Sequence, residues 1–178
     1  MSNLQINKPW ADRFLPDQQR LIKQRGIEHA TIRQATLDED MRKGFDNVFE
    51  IDSFRFWPVR VRRPDCKYRD FTIRTNTPNA LVDEYDKIMG GYGDAYLYGW
   101  TTPDSERRGR LQEWIIVDLH KFRADRIWVE QNRRLGHNHG LNDSDFWCWS
   151  WQELDDRGLL LDHLMFIRQP ALFTRPMV

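Results

Sequence analysis

A chain of 178 residues, with 27 Lys+Arg against 27 Asp+Glu, a formal net charge of +0 and a hydrophobic fraction of 40%, fits a single domain, or one domain with an appendage, and carries enough apolar residues for a sizeable core. The neutral total removes any blanket attraction to nucleic acid or to membranes and leaves only local basic patches to supply it. Two cysteines, Cys66 and Cys148, make neither a disulfide framework nor a Cys-x-x-Cys metal pair. The first ten residues have no apolar signal core, and no apolar run approaches the ~20 residues that span a bilayer. The expectation is a cytoplasmic protein with reduced thiols.

Residues 1–15 mix polar residues with Trp10, Phe14 and Leu15 and read as an arm that docks on the body. Pro16 opens a helix that runs to Arg25, and His29–Gln34 fits a short strand. Thr36–Asp40 has an N-cap followed by acids, a short helical turn that ends at Gly44. The apolar runs Phe45–Ile51 and Phe54–Arg62 read as a hairpin turned at Asp52-Ser53. Alternation in its second strand puts Phe56, Pro58, Arg60 and Arg62 on one face, and Pro58 marks an edge or a bulge. Asp70–Arg74 continues the sheet.

Leu81, Val82, Tyr85, Ile88 and Met89 recur at helical spacing, which predicts a helix over 80–89. Gly90–Gly93 caps it and is no phosphate loop, because such loops precede their helix. Ala95–Trp100 is a strand, Thr102–Arg110 a charged, mobile connection, and Trp114–Leu119 a buried strand. Ile127–Leu135 is helical or irregular, and Leu135–Asp145 a polar loop. Phe146–Trp151 makes a last aromatic strand, followed by a small closing element at Glu153–Leu161.

The order helix (16–25), strands at 46, 56 and 71, helix (80–89) and strand at 95 resembles the PD-(D/E)XK nuclease-like superfamily. That resemblance implies an α/β (α+β) fold with a restriction-endonuclease-like core, a mixed central sheet flanked by helices, over residues 16–100. An extension with the C-terminal aromatic strand follows at 111–178. It also implies an aspartate at the start of the first core hairpin that binds Mg²⁺, here Asp46, with an acid and a lysine on the next strand. Carboxylates gather the metal, which lowers the pKa of the attacking water and neutralises phosphate charge. The second strand carries Arg60-Val61-Arg62 instead, and arginine neither ligates Mg²⁺ nor gives up its proton. Glu84 and Lys87, neighbours on the 80–89 helix, stand as the replacement acid and lysine, with Glu28 as a further ligand. Their alternative role is a solvent-facing ion pair.

Arg60, Arg62, Arg63, Lys67, Arg69 and Arg74 fall close together with Tyr68 and Phe71 among them. Two readings stay open: a strip that contacts phosphates, since the guanidinium fork matches their oxygens, or arginines whose field is neutralised by pairing with Asp65 and Asp70. His137-x-His139, near Asp143 and Asp145, has the spacing of two metal ligands but reads as an exposed loop without a partner cysteine. Trp147, Trp149 and Trp151 share one strand face and serve either the core or an exposed platform for a base or a partner protein. The functional expectation is a nucleic-acid-acting protein with a nuclease-like fold, suited to binding more than to efficient Mg²⁺-dependent cleavage. The alternative is a non-catalytic interaction module, such as a small phage or mobile-element protein that docks on a host protein.

Overall fold

The computed structural model describes residues 9–23, 31–34, 47–50, 58–76, 82–129, 134–138 and 144–165. The elements among them are α1 (Leu15–Lys23), β1 (Thr31–Gln34), β2 (Asn47–Glu50), β3 (Val59–Arg62), β4 (Asp70–Thr75), α2 (Glu84–Met89) and β5 (Ala95–Trp100). There follow α3 (Pro103–Arg107), β6 (Glu113–Asp118), α4 (Leu119–Asp125), β7 (Arg134–Asn138), β8 (Ser144–Ser150), α5 (Trp151–Asp156) and β9 (Leu160–Leu164).

Among the described residues the strands form three sheets. One has the order β3-β5-β6-β9, a second β4-β8-β7, and β1 pairs with β2. In the first sheet β3 runs parallel to β5, with Arg60 opposite Tyr98 and Arg62 opposite Trp100. β5 pairs antiparallel with β6, and β6 with β9. The fold is therefore mixed α/β. It differs from the expected hairpin: β2 pairs back to β1, and β3 joins a strand more than thirty residues later. The strands expected to share one central sheet are divided among three.

The division follows from the side chains. Every residue of β5 is buried, because the strand is covered on both faces. Tyr96, Tyr98 and Trp100 point one way, and pack with Ile115 and Val117 of β6 against Phe71, Ile73 and Trp149 of the second sheet. Ala95 and Leu97 point the other way, with Val59, Trp114 and Ile116, against Phe14 and Leu21 beside and on α1. Strict alternation thus builds two cores on one sheet. Phe71 lies at the centre of the larger core, edge-on to Tyr96, Tyr98 and Phe122 with ring centroids 5.3, 5.5 and 5.9 Å away. Such pairs add about 1 kcal/mol each beyond burial. Gly99 lets Leu111 lie flat on the sheet: a Cβ there would stand 2.7 Å from a Leu111 methyl.

The N-terminal segment is fastened by polar as well as apolar contacts. Asp17 is buried; it accepts the Leu111 backbone N–H at 2.9 Å and pairs with Arg20 at 2.8 Å. The Trp10 indole donates to the Glu106 carboxylate.

Three local expectations change. Residues 103–107 of the charged connection form a helix, started by Pro103 and by a capping box between Thr102 and Ser105. Residues 134–138, expected to pass from a helical or irregular stretch into a polar loop at Leu135, are an edge strand paired with β8, which places His137 opposite Asp145. Trp151 leaves the last aromatic strand and opens α5, because the Ser150 hydroxyl and the Glu153 carboxylate cap the chain there. Among the described residues no helix is long and apolar enough to cross a membrane.

Candidate functional site

β3 is an edge strand among the described residues, and its alternation sends Val59 and Val61 toward α1. Arg60 and Arg62 therefore enter the margin between the two larger sheets, beside the hydroxyl ends of Tyr96 and Tyr98. The two arginines meet different fates there.

Arg60 is compensated. Its Nη2 donates to both oxygens of Glu84 at 2.7 and 2.6 Å, and its Nη1 donates to the Thr72 carbonyl at 3.2 Å. Glu84 also accepts the Tyr96 hydroxyl at 2.7 Å and the Arg74 backbone N–H at 2.8 Å. The two side chains are only 14% and 18% exposed. Burial alone would raise the Glu84 carboxyl, but Arg60, then Arg74 and the two further donors outweigh it and hold the group at about 2. Burial raises the Tyr96 phenol well above its ordinary range, so it stays a donor.

Arg62 has no carboxylate partner among the described residues. Its Nε donates to the Tyr98 hydroxyl and its Nη2 to the Thr72 hydroxyl, which themselves lie 2.8 Å apart. The guanidinium carbon stands 5.4 Å from the Tyr98 ring centroid. This seat orients a half-buried positive charge without cancelling it, since hydroxyls and a ring face supply only partial charges.

The rest of the expected basic strip is divided. Arg69 pairs with buried Glu113 and donates to the Cys66 carbonyl at 2.7 Å. Arg63 lies over the Trp10 ring at 4.7 Å. Lys67 is exposed, and Arg74 is nearly half exposed, its Nε 3.7 Å from Glu84. The strip is thus neither fully neutralised nor fully free: Arg60 and Arg69 serve the fold, while Arg62, Lys67 and Arg74 keep surface.

Of the residues expected to hold Mg²⁺ or catalyse, Asp46 and Glu28 lie outside the described residues. Glu84 does not fit the metal role as it stands, because both its oxygens are occupied by Arg60, Tyr96 and the Arg74 amide. A divalent ion would also sit against two guanidinium groups. Lys87 follows one turn later on α2, half-buried. Among the described residues no three His, Cys, Asp or Glu side chains converge as metal ligands. His139 and Asp143 lie outside the described residues, and Asp145 accepts from the Asn76 amide at 3.1 Å.

Of the three tryptophans expected to form either core or a platform, one is fully buried and two are partly so. Trp149 is fully buried and donates to the Ile127 carbonyl at 3.1 Å. Trp147 packs edge-on to Tyr85 at 4.3 Å, and Trp151 lies 5.6 Å from the His163 ring. Trp149 belongs to the core, and the partly buried Trp147, on the same face of β8, and Trp151, at the start of α5, pack against it.

Sequence reasoning missed Thr72, Tyr96 and Tyr98 as parts of the site. The only signal was the alternation of Tyr96, Tyr98 and Trp100 on a strand, which fixes a shared face but not what lies across it. No protein-family model, no curated protein and no solved structure matches the chain.

Proposed function

We propose that the protein binds the phosphate backbone of nucleic acid along the β3 edge and the loop that follows it, and holds the strand without cutting it. The observation that carries this reading is Arg62. Its guanidinium keeps its charge at any physiological pH, is partly removed from water, and has no carboxylate partner among the described residues. A desolvated cation costs several kcal/mol unless a counter-charge completes it. A phosphate on its open side supplies that charge, and the guanidinium fork suits phosphate oxygens. Exposed Lys67 and the partly exposed Arg74 extend the field. Binding is favoured over cleavage because the only described acid in the expected centre, Glu84, is already spent on Arg60. A restriction-endonuclease-like origin belongs to the same proposal; it rests on the order of elements along the chain, while the strand pairing and the arginines of β3 depart from that pattern.

The test is fluorescence anisotropy of labelled DNA and RNA oligonucleotides with the wild type and Arg62→Ala. The expected result is measurable binding that weakens about tenfold in the variant, the worth of one charge-assisted contact, with the variant still cooperatively folded. Equal affinity in both proteins, or no binding by either, contradicts the reading.

A further inference from the structure

Tyr68 is a large aromatic residue, 46% exposed, on the loop that joins β3 to β4. Its ring has no aromatic partner among the described residues, whereas Tyr85, Tyr96 and Tyr98 each pack against one. Its backbone is held firmly. The Tyr68 carbonyl accepts the Trp100 indole N–H at 3.0 Å and the Cys66 thiol at 3.5 Å, and the loop turns through a Cys66 N–H to Arg63 carbonyl bond at 3.0 Å. Arg69, the next residue, is fixed by Glu113, with its guanidinium 5.9 Å from the Trp100 ring. A half-exposed side chain is thus carried on a fixed backbone.

Its surroundings distinguish it from the other exposed tyrosine. Tyr92 is 45% exposed but sits in the glycine loop, where the nearby Arg123 guanidinium is engaged by the Ile88 and Gly93 carbonyls, both at 3.1 Å. Tyr68 adjoins exposed Lys67, and a continuous path connects it to Arg62. Its carbonyl rests on Trp100, the Trp100 and Tyr98 rings are 5.0 Å apart, and Arg62 lies over Tyr98. A half-exposed tyrosine and two cations without carboxylate partners among the described residues are thus carried by β3 and the loop that follows it. Bases in a duplex are stacked on each other and offer no face to such a ring, but the bases of a single strand do.

We infer that the Arg62–Lys67–Tyr68 edge prefers single-stranded nucleic acid, with a base stacked on Tyr68 and the neighbouring phosphates on Arg62 and Lys67. This inference rests on the phosphate-binding reading of the same edge. Stacking tolerates any base, so the preference is for strandedness and not for sequence.

The experiment compares one labelled oligonucleotide as a single strand, as a duplex, and as a single strand with abasic positions, against the wild type, Tyr68→Ala and Tyr68→Phe. The expected result is about tenfold tighter binding of the intact single strand than of the abasic one. Tyr68→Ala should abolish that difference and Tyr68→Phe retain it, and neither variant should change the salt dependence, because neither removes a phosphate contact. Equal binding of intact and abasic strands by the wild type, with Arg62→Ala still weakening both, overturns the stacking inference and leaves backbone binding standing. Loss of all binding, or indifference to Arg62→Ala, overturns both.

Discussion

Arg60 and Glu84, 24 positions apart, meet through one guanidinium nitrogen that bridges both carboxylate oxygens at 2.6 and 2.7 Å. The contact ties β3 of one sheet to α2, and through the Arg74 amide and the Thr72 carbonyl to β4 of the facing sheet. Neither charge is well solvated, so removing one strands the other. Glu84→Ala should cost ~3–5 kcal/mol in urea unfolding, the range for breaking a buried pair. Arg60→Met combined with Glu84→Leu should cost clearly less than the sum of the single changes. Additive losses would show that the pair is not coupled.

The same clamp gives a sign to the acid dependence. Glu84 sits at about 2 in the fold against an ordinary 4.5. A carboxyl lowered on folding contributes stability that is complete above its unfolded value and is lost as pH falls from there toward the folded value. The loss therefore spans the interval between 4.5 and about 2, and a displacement of this size is worth ~3 kcal/mol. Chemical denaturation near neutrality and at about pH 3 should show a smaller acid loss for Glu84→Gln than for the wild type. Equal acid losses would mean that other carboxyls govern the transition.

β5 and β6 were legible because a strand buried on both faces leaves an unbroken apolar run, as in Tyr96–Trp100 and Trp114–Val117. Strand partners were not legible. Asp52-Ser53 has no strong turn preference, so nothing local states that β2 turns back to β1 while β3 joins β5. The polar stretch at 134–138 hid a strand because β7 is a sheet edge and owes its form to backbone pairing with β8. At the site, alternation correctly placed Arg60 and Arg62 on one face. Which of them would be neutralised was decided by Glu84 and by Thr72 and Tyr98, which only the tertiary fold brings near.

Gly109 supplies a test of the seam between α3 and the N-terminal segment. Its φ is +62°, and a Cβ there would stand 2.7 Å from the Arg13 carbonyl oxygen. Backbone cannot yield as a side-chain tip does. Gly109→Ala should cost ~2 kcal/mol or more, from the left-handed penalty and the clash together, and lower Tm by about 4–8 °C. Gly158→Ala is the matched control, with φ +65° and open space around the new methyl. Its loss should be about half as large, and equal losses would show that the Arg13 contact gives way.

Arg62 and Arg69 separate function from stability on one short stretch of chain. Arg69 is committed to Glu113, which is almost wholly buried. Arg69→Ala should cost ~3 kcal/mol or more by stranding that carboxylate. Arg62→Ala removes contacts to two hydroxyls that also bond to each other, and should cost under ~1.5 kcal/mol. Unfolding of the two variants in urea decides this, and the reverse order would assign Arg62 to the fold.

The central claim is that Arg62 meets phosphate, and the most direct measurement is the slope of log affinity against log salt concentration for a labelled single-stranded oligonucleotide. Each lost phosphate contact reduces that slope by about 0.7 on a single strand. Arg62→Ala should flatten it by that amount, while Arg69→Ala, measured where it remains folded, should match the wild type. A slope unchanged by Arg62→Ala would contradict the account.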